Sequence, residues 1–187
     1  ILLILTSLLV FNYSCTGERD DNKIFKNLKP STTGVEFNNT LIENDSLNYF
    51  TFPYMYEGGG VAAGDINNDG LIDLYFTGNQ VSNKLYLNKG NLKFEDITEK
   101  AGVSGDDRWY TGVTMADVNS DGFLDIYCSV GGKFEPRINQ LFINNRDGTF
   151  VEKGAELGLN DGGDTVQGTF FDYDKDGDLD LYVANYP

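Results

Sequence analysis

The sequence contains no histidine and few basic residues. Among its 187 residues, 14 are Lys or Arg and 29 are Asp or Glu, which gives a formal net charge of −15. Without histidine, the chain cannot form a Ser-His-Asp or Cys-His catalytic arrangement or an imidazole metal site. Nucleic-acid binding requires clustered Lys and Arg, so the charge argues against a nucleic-acid partner.

Long hydrophobic runs are also absent, apart from residues 1–11. This run is shorter than the roughly 20 residues that span a membrane, but it suits the apolar part of a secretory signal. Ser14 and Cys15 follow it and resemble the processing site of a bacterial lipoprotein, with Cys15 acylated and held by outer-membrane lipid. The acidic stretch after Cys15 resembles a signal for export to the cell surface. An ordinary cleaved signal with an incidental cysteine is the alternative.

Cysteine is nearly absent, with Cys15 and Cys128 as its two positions. If Cys15 is acylated, Cys128 has no partner and the protein contains no disulfide. Cys128 lies in an alternating apolar stretch, which predicts a buried core residue and not a reactive thiol.

An internal repeat organises the sequence after the N-terminal segment. Three nine-residue segments share the pattern Asp-x-Asn/Asp-x-Asp-Gly-x-x-Asp and begin at Asp65, Asp117 and Asp172, at intervals of 52 and 55 residues. An apolar stretch with tyrosine at its second position follows each segment. A second block, Asn83–Asn88, recurs at Asn139–Asn144, an offset of 56 residues. This regularity indicates an array of similar supersecondary units.

Each repeat has the pattern of four short strands. In the second copy, β-branched and aromatic residues separated by turn signals predict strands at 112–116, 125–130, 140–144 and 149–152. The following stretch 152–159 predicts a connection with one helical turn. Four strands in about 50 residues correspond to one propeller blade. The predicted fold class is therefore all-β, a partial β-propeller of four-stranded antiparallel blades.

The repeats resemble the FG-GAP/VCBS repeats of integrin-α-like β-propellers, whose calcium loops have the same nine-residue pattern. The segments Thr33–Phe37 and Gly58–Asp65 are similar to those of bacterial surface lipoproteins that end in an ASPIC/UnbV domain, the cartilage acidic protein-like group. This resemblance covers the chain from about residue 30 onward. It implies a propeller with more blades, so we expect the chain to be an N-terminal fragment of a longer protein.

The repeat boundaries predict the domain organisation. The expected units are a lipoprotein signal peptide at 1–15, a polar linker and pre-blade segment at 16–57, a first blade at 58–104, a second blade at 105–160 and the start of a third blade at 161–187.

The nine-residue segments have the chemistry of calcium loops. Calcium takes six to eight hard oxygen ligands. Positions 1, 3, 5 and 9 can supply side-chain oxygens, position 7 a carbonyl oxygen, and the glycine at position 6 a sharp bend. The candidate ligands of about three calcium sites are Asp65, Asn67, Asp69, Leu71 and Asp73; Asp117, Asn119, Asp121, Phe123 and Asp125; and Asp172, Asp174, Asp176, Asp178 and Asp180.

Two alternatives to these calcium loops can be compared with the sequence. An EF-hand requires Glu at position 12 and flanking helices, whereas this sequence has Phe76, Cys128 and Val183 there. Acidic turns without metal are the second alternative, but three copies with the same spacing favour metal binding. The extra Asp178 predicts that the third loop binds calcium most tightly.

Two aromatic regions lie outside the repeat pattern. The segment from Tyr49 to Tyr56 is rich in Phe and Tyr, which indicates either a packing segment, the favoured interpretation, or a surface on which sugars stack. Trp109 lies in a predicted inter-blade loop, where propellers commonly bind ligands, and it is the candidate ligand-binding residue.

The sequence therefore favours a non-catalytic, calcium-binding binding or scaffold module on the outer surface of a bacterial cell. Its expected role is adhesion or glycan capture, by analogy with its relatives. Two alternatives remain open at this point. The first is a polysaccharide-active enzyme with catalytic residues outside this sequence, and the second is a structural spacer for a C-terminal domain.

Overall fold

The computed structural model describes residues 24–187, and the predicted signal and Cys15 lie outside the described residues. Within this range, ten strands form three antiparallel sheets in chain order. The strands are β1 (Val61–Gly64), β2 (Asp73–Phe76), β3 (Lys84–Asn88) and β4 (Phe94–Asp96) in the first sheet; β5 (Tyr110–Ala116), β6 (Asp125–Val130), β7 (Gln140–Asn144) and β8 (Phe150–Glu152) in the second; and β9 (Thr165–Phe171) and β10 (Asp180–Asn185) in the third.

The first two sheets confirm the predicted four-stranded antiparallel blades. Each strand pairs with the next one in sequence, so each sheet is a simple up-and-down meander. The predicted strands of the second repeat match β6 and β7 at both ends. β5 begins two residues earlier than predicted because the β5–β6 register shifts between Tyr110 and Gly112, which lets Tyr110 pair with Val130.

Four short helical segments connect or precede the sheets. They are α1 (Pro30–Thr33), a 3-10 helix (Pro53–Tyr56), α2 (Thr98–Ala101) and α3 (Gly154–Leu157). The predicted helical turn after the second blade is α3, and α2 takes the same place after the first blade. Both end at a glycine in the left-handed conformation, Gly102 with φ 74° and Gly158 with φ 71°. None of the helices in residues 24–187 is long and apolar enough to cross a membrane.

The main core lies between the first two sheets. Tyr75 on β2 and Cys128 on β6 are fully buried there, and the Cys128 sulfur lies 3.8 Å from the Tyr75 hydroxyl. The prediction that Cys128 is a core residue is therefore correct. Every residue of β6 is buried, because β5 and β7 flank it and the neighbouring sheets pack on both of its faces.

The tyrosine that recurs after each nine-residue segment is not buried equally. Tyr75 and Tyr127 are core residues as predicted, and the Tyr127 ring lies 5.6 Å from the Phe170 ring of β9. Tyr182 is 64% exposed, contrary to its predicted core position. The reason is that no described strand covers β10 in the way that β9 covers Tyr127.

The aromatic segment before the first blade has both buried and exposed side chains. Phe52 and Met55 form a second core cluster with Leu47 and Trp109, in agreement with the favoured packing interpretation. The remaining aromatic side chains of this segment are largely exposed. They are Tyr49, Phe50, Tyr54 and Tyr56.

Candidate metal centre

The three nine-residue segments occupy the same place in each sheet, the connection between its first and second strands. We call them the first loop (65–73), the second loop (117–125) and the third loop (172–180). In each loop the final aspartate is also the first residue of the second strand. The antiparallel pairing of these two strands therefore brings the ends of every loop together.

The three loops share one backbone conformation. The glycine at position 6 has a positive φ in each copy, with values of 83° for Gly70, 88° for Gly122 and 100° for Gly177. Position 4 is also left-handed, although none of its residues is glycine. Its φ values are 59° for Asn68, 56° for Ser120 and 66° for Lys175. The sequence pattern predicted the glycine bend and missed the second one, since serine and lysine give no signal for it.

Side-chain oxygens in the first loop turn inward onto the loop backbone. Asp65 accepts hydrogen bonds from the backbone N–H groups of Asp69 at 3.2 Å and Gly70 at 2.7 Å. Asn67 accepts from Asp69 at 3.2 Å, and Asp69 accepts from Leu71 at 2.8 Å. Positions 1, 3 and 5 are thus held on the inner side of the turn.

The second loop repeats these contacts. Asp117 accepts from Asp121 at 2.9 Å and Gly122 at 2.8 Å, and Asn119 accepts from Asp121 at 3.0 Å. Asp121 accepts from the N–H of Phe123 at 2.9 Å. The same donors and acceptors at the same positions show that the pattern specifies a defined local structure.

The third loop brings three carboxylates together. One oxygen each of Asp172, Asp174 and Asp176 lies within 4.8 Å of the other two, and all three side chains are exposed. The first and second loops have asparagine at position 3, so their corresponding trio contains two carboxylates and one amide oxygen. All three sets consist of hard oxygen donors, which are the ligands that calcium prefers.

Asp178 lies beside this trio. Hydrogen bonding to the Asp176 carboxylate and repulsion by its charge raise the pKa of the Asp178 carboxyl, while the N–H of Asp178 helps to lower the pKa of Asp176. This repulsion is the kind that a bound dication relieves.

The aspartate at position 9 closes the first and second loops onto their sheets, whereas Asp180 of the third loop is exposed and accepts from the N–H of Tyr173 at 2.8 Å. Asp73 is fully buried and accepts from the N–H of Ile66 at 3.0 Å and of Asn88 at 2.7 Å. Asp125 is 1% exposed and accepts from Val118 at 3.0 Å and Asn144 at 2.8 Å. Burial raises the pKa of both carboxyls, against the opposing effect of these hydrogen bonds. Each carboxylate oxygen retains a lone pair that can bind a cation.

Position 7 is the predicted source of a backbone carbonyl ligand. Within the described part of the chain, no hydrogen bond uses the carbonyl oxygens of Leu71, Phe123 or Asp178. These oxygens are therefore free to act as ligands.

Asparagine side chains connect the first loop to the second. The Asn68 amide donates to the Gly122 carbonyl at 2.8 Å. The Asn144 amide at the end of β7 donates to the carbonyls of Ile66 at 2.8 Å and Leu124 at 3.1 Å. The sequence analysis missed these contacts, although the recurrence of Asn88 and Asn144 at the end of the repeated block was a possible signal.

Trp109 lies at the opposite end of the strands from the three loops. It is 5% exposed, and its ring packs edge-on against Phe52 with centroids 5.3 Å apart. The pre-blade segment thus covers most of the indole, and ligand binding by Trp109 stays a prediction. The remaining surface of Trp109 contributes to the wall of a cavity of about 490 Å³, together with Asp106 and Asp107.

Comparison with known proteins supports the repeat organisation. The family model described as FG-GAP-like repeat matches residues 65–128 and 131–183. Among curated proteins, Cartilage acidic protein 1 of Mus musculus and of Homo sapiens are each 31% identical to the chain over 129 residues, or 67% of its length. Cartilage acidic protein 1 of Xenopus tropicalis is 39% identical over 72 residues, or 38% of the chain. The aligned part is 18%, 17% and 11% of these relatives, respectively.

Proposed function

Because this chain belongs to the FG-GAP-like repeat family, we propose that it is the calcium-binding, propeller-type part of a surface-displayed binding or scaffold protein. The observation that carries the proposal is the same loop structure in three successive sheets, with oxygen donors at positions 1, 3, 5 and 9 and a free carbonyl at position 7. Acidic turns without a ligand have no reason to conserve this full donor set among the three repeats of one chain.

Calcium suits these loops better than magnesium. Magnesium demands near-ideal octahedral geometry and retains several waters, whereas calcium accepts irregular sets of oxygen ligands. The residues that would hold calcium are the side chains at positions 1, 3, 5 and 9 and the carbonyl at position 7 of each loop. We expect affinities in the extracellular range, about 10⁻⁴ to 10⁻³ M. A bound dication would offset two of the three to five carboxylate charges in a loop and fix the strand connection, which stabilises the sheet.

We further propose that the protein acts outside the cell, anchored in the outer membrane through Cys15. Support comes from the sequence of the first 21 residues, with its apolar run, its cysteine and the acidic stretch after it. Incorporation of a radiolabelled fatty acid into the wild type, and its loss in Cys15→Ser, would test the anchor.

Binding to a glycan or to another protein is favoured over catalysis. Eleven of the 29 acidic residues lie in the three loops, where the calcium proposal already uses them. Asp106 in the cavity beside Trp109 is engaged by the Tyr110 hydroxyl at 3.2 Å and by the Arg108 backbone N–H at 3.1 Å. Polysaccharide turnover would support the enzyme alternative, and glycan-array binding the capture role. Inertness in both assays would favour the spacer.

Thermal unfolding with millimolar calcium or with chelator tests the calcium proposal. At about 10 mM calcium, a site with a dissociation constant of about 10⁻⁴ M contributes about 2.7 kcal/mol to stability and a site of about 10⁻³ M about 1.4 kcal/mol, so calcium should raise the unfolding midpoint clearly. Asp121→Ala and Asp176→Ala should each reduce this rise. Asp45→Ala removes an exposed carboxylate outside the loops and should leave the rise unchanged. A folded wild type with no calcium-dependent rise would show that the loops are ordinary turns.

A further inference from the structure

Arg146, in the turn between β7 and β8, contacts the second loop. Its Nη2 and Nε atoms lie 3.0 and 3.2 Å from Oδ2 of Asp121, the position-5 donor. Its guanidinium also lies 5.9 Å from the ring centroid of Phe123. The Asp121 side chain is 11% exposed and the Arg146 side chain 56%, so the carboxylate is largely covered while the guanidinium remains open to water.

The backbone conformation of Arg146 is unfavourable for an arginine, which indicates that its side chain has a function at this position. Arg146 has a positive φ of 65°, and its N–H donates to the Asn144 side chain at 2.9 Å. The equivalent residue of the first sheet is Gly90, with φ 80° and the same 2.9 Å bond to Asn88. Glycine suits this conformation, whereas arginine adopts it at a cost in backbone strain.

The aspartates of the first and third loops have no comparable ion-pair partner in the described part of the chain, although the third loop contains Lys175 at its position 4. Among the described residues, no ion pair involves the aspartates of 65–73 or 172–180. Each of the first two loops contains three aspartates, so the guanidinium makes the net charge around the second loop less negative than around the first.

We propose that Arg146 is a built-in counter-cation of the second loop, which lowers the calcium affinity of that loop below the affinities of the first and third. The inference rests on the calcium function proposed above. The Arg146 guanidinium, paired with Asp121, competes with calcium for this carboxylate, and its positive charge repels the incoming dication. It also stabilises the calcium-free loop, because it pairs one of the three carboxylates. The expected order of affinity is therefore third, first and second loop.

Calcium titration followed by NMR of ¹⁵N-labelled protein tests this order loop by loop. The N–H groups of Gly70, Gly122 and Gly177 each donate to the position-1 aspartate of their own loop, so each reports on one site. In Arg146→Gln, the calcium midpoint read at Gly122 should fall by about two- to fivefold, while the midpoints at the other two glycines stay unchanged. The same variant in chelator should unfold at a lower temperature than the wild type.

Two further variants separate the role of Arg146 from general charge effects. Arg137→Gln removes one positive charge from the β6–β7 connection, at the other end of the same sheet, and should leave all three midpoints unchanged. Gly90→Arg places the cation beside the first loop, where an added Cβ meets no atom within 4 Å, and should raise the midpoint at Gly70.

The possible outcomes distinguish this inference from the calcium proposal. If the glycine signals respond to calcium but Arg146→Gln leaves the Gly122 midpoint unchanged, Arg146 is a structural residue and the inference is wrong. If none of the three glycine signals responds in the wild type, the calcium proposal itself fails and the role of Arg146 fails with it.

Discussion

At the scale of single residues, burial determines the chemistry of Cys128. The side chain is fully buried between the first two sheets, and this burial raises the pKa of its thiol to about 12. Since the thiolate is the reactive form, the thiol should be inert at neutral pH in the folded protein. Cys128 therefore acts as a small apolar core residue, which is what the alternating pattern around it predicts.

We predict that Cys128 reacts with a thiol reagent such as DTNB at pH 8 only after unfolding. In a Cys15→Ser background, folded protein should show almost no reaction over minutes, and protein in guanidinium chloride should react at once. Adding Val151→Cys provides a matched control, because Val151 is 40% exposed and a cysteine there should react in the folded state. Fast reaction of folded protein without this added cysteine would mean that the interface between the sheets opens readily.

The sequence was informative about residues whose neighbours are close in sequence. Cys128 and Tyr127 were predicted to be buried from the alternation within one strand. Trp109 was not, because the side chains that cover it belong to the segment before the first blade and include Leu47, 62 residues away. Nothing in the sequence indicated the Arg146–Asp121 contact either, since β6 and β7 separate the two residues along the chain.

At the scale of elements, the end of β7 joins two loops. Asn144 is 3% exposed, and its amide donates to carbonyls of both the first and the second loop. Its counterpart Asn88 donates to the Ile72 carbonyl at 2.8 Å, within its own sheet. The asparagine at this repeat position therefore makes one more hydrogen bond to a carbonyl in the second sheet than in the first, because the first sheet lies beside the second.

We predict that Asn144→Ala destabilises the protein more than Asn88→Ala. The first change leaves two carbonyls without their partner in a buried place, at a cost of about 1–3 kcal/mol per unsatisfied group, whereas the Asn88 contact is more open to water. Urea unfolding monitored by circular dichroism measures both free energies. Equal losses would show that the Asn144 bridge between the loops adds nothing to stability.

The strands themselves were predictable because their cause is local. Alternating apolar residues and Asx-Gly turns predicted both ends of β6 and β7 correctly. The start of β5 was two residues off because a bulge against β6 depends on pairing that no local pattern reports. The donor set of each loop followed from spacing, but its hydrogen bonds to neighbouring loops did not, since they arise when sheets pack together.

At the scale of the whole molecule, each sheet is stabilised by the next one in the chain. β9 packs against β5 and β6, and there it covers Tyr127, whose hydroxyl also accepts from the Asn139 amide at 2.9 Å. The first and second sheets therefore have a neighbour over the recurring tyrosine, and the described part of the third sheet does not. Repeat architectures gain their stability from such interfaces between neighbouring units.

We predict that Tyr127→Ala costs about 3–5 kcal/mol of unfolding free energy, as other large-to-small changes of buried aromatic residues do. Tyr182→Ala, at the equivalent position of the third repeat, should change stability by less than about 0.5 kcal/mol, because its side chain is 64% exposed. Chemical unfolding of the 187-residue chain measures both. The pair is matched in residue type, strand position and register, so the difference reports the cover by the neighbouring sheet together with the hydrogen bond from Asn139. Similar losses for the two variants would mean that Tyr182 is covered in solution, for instance by a second copy of the chain, and a concentration-dependent midpoint would then identify that contact.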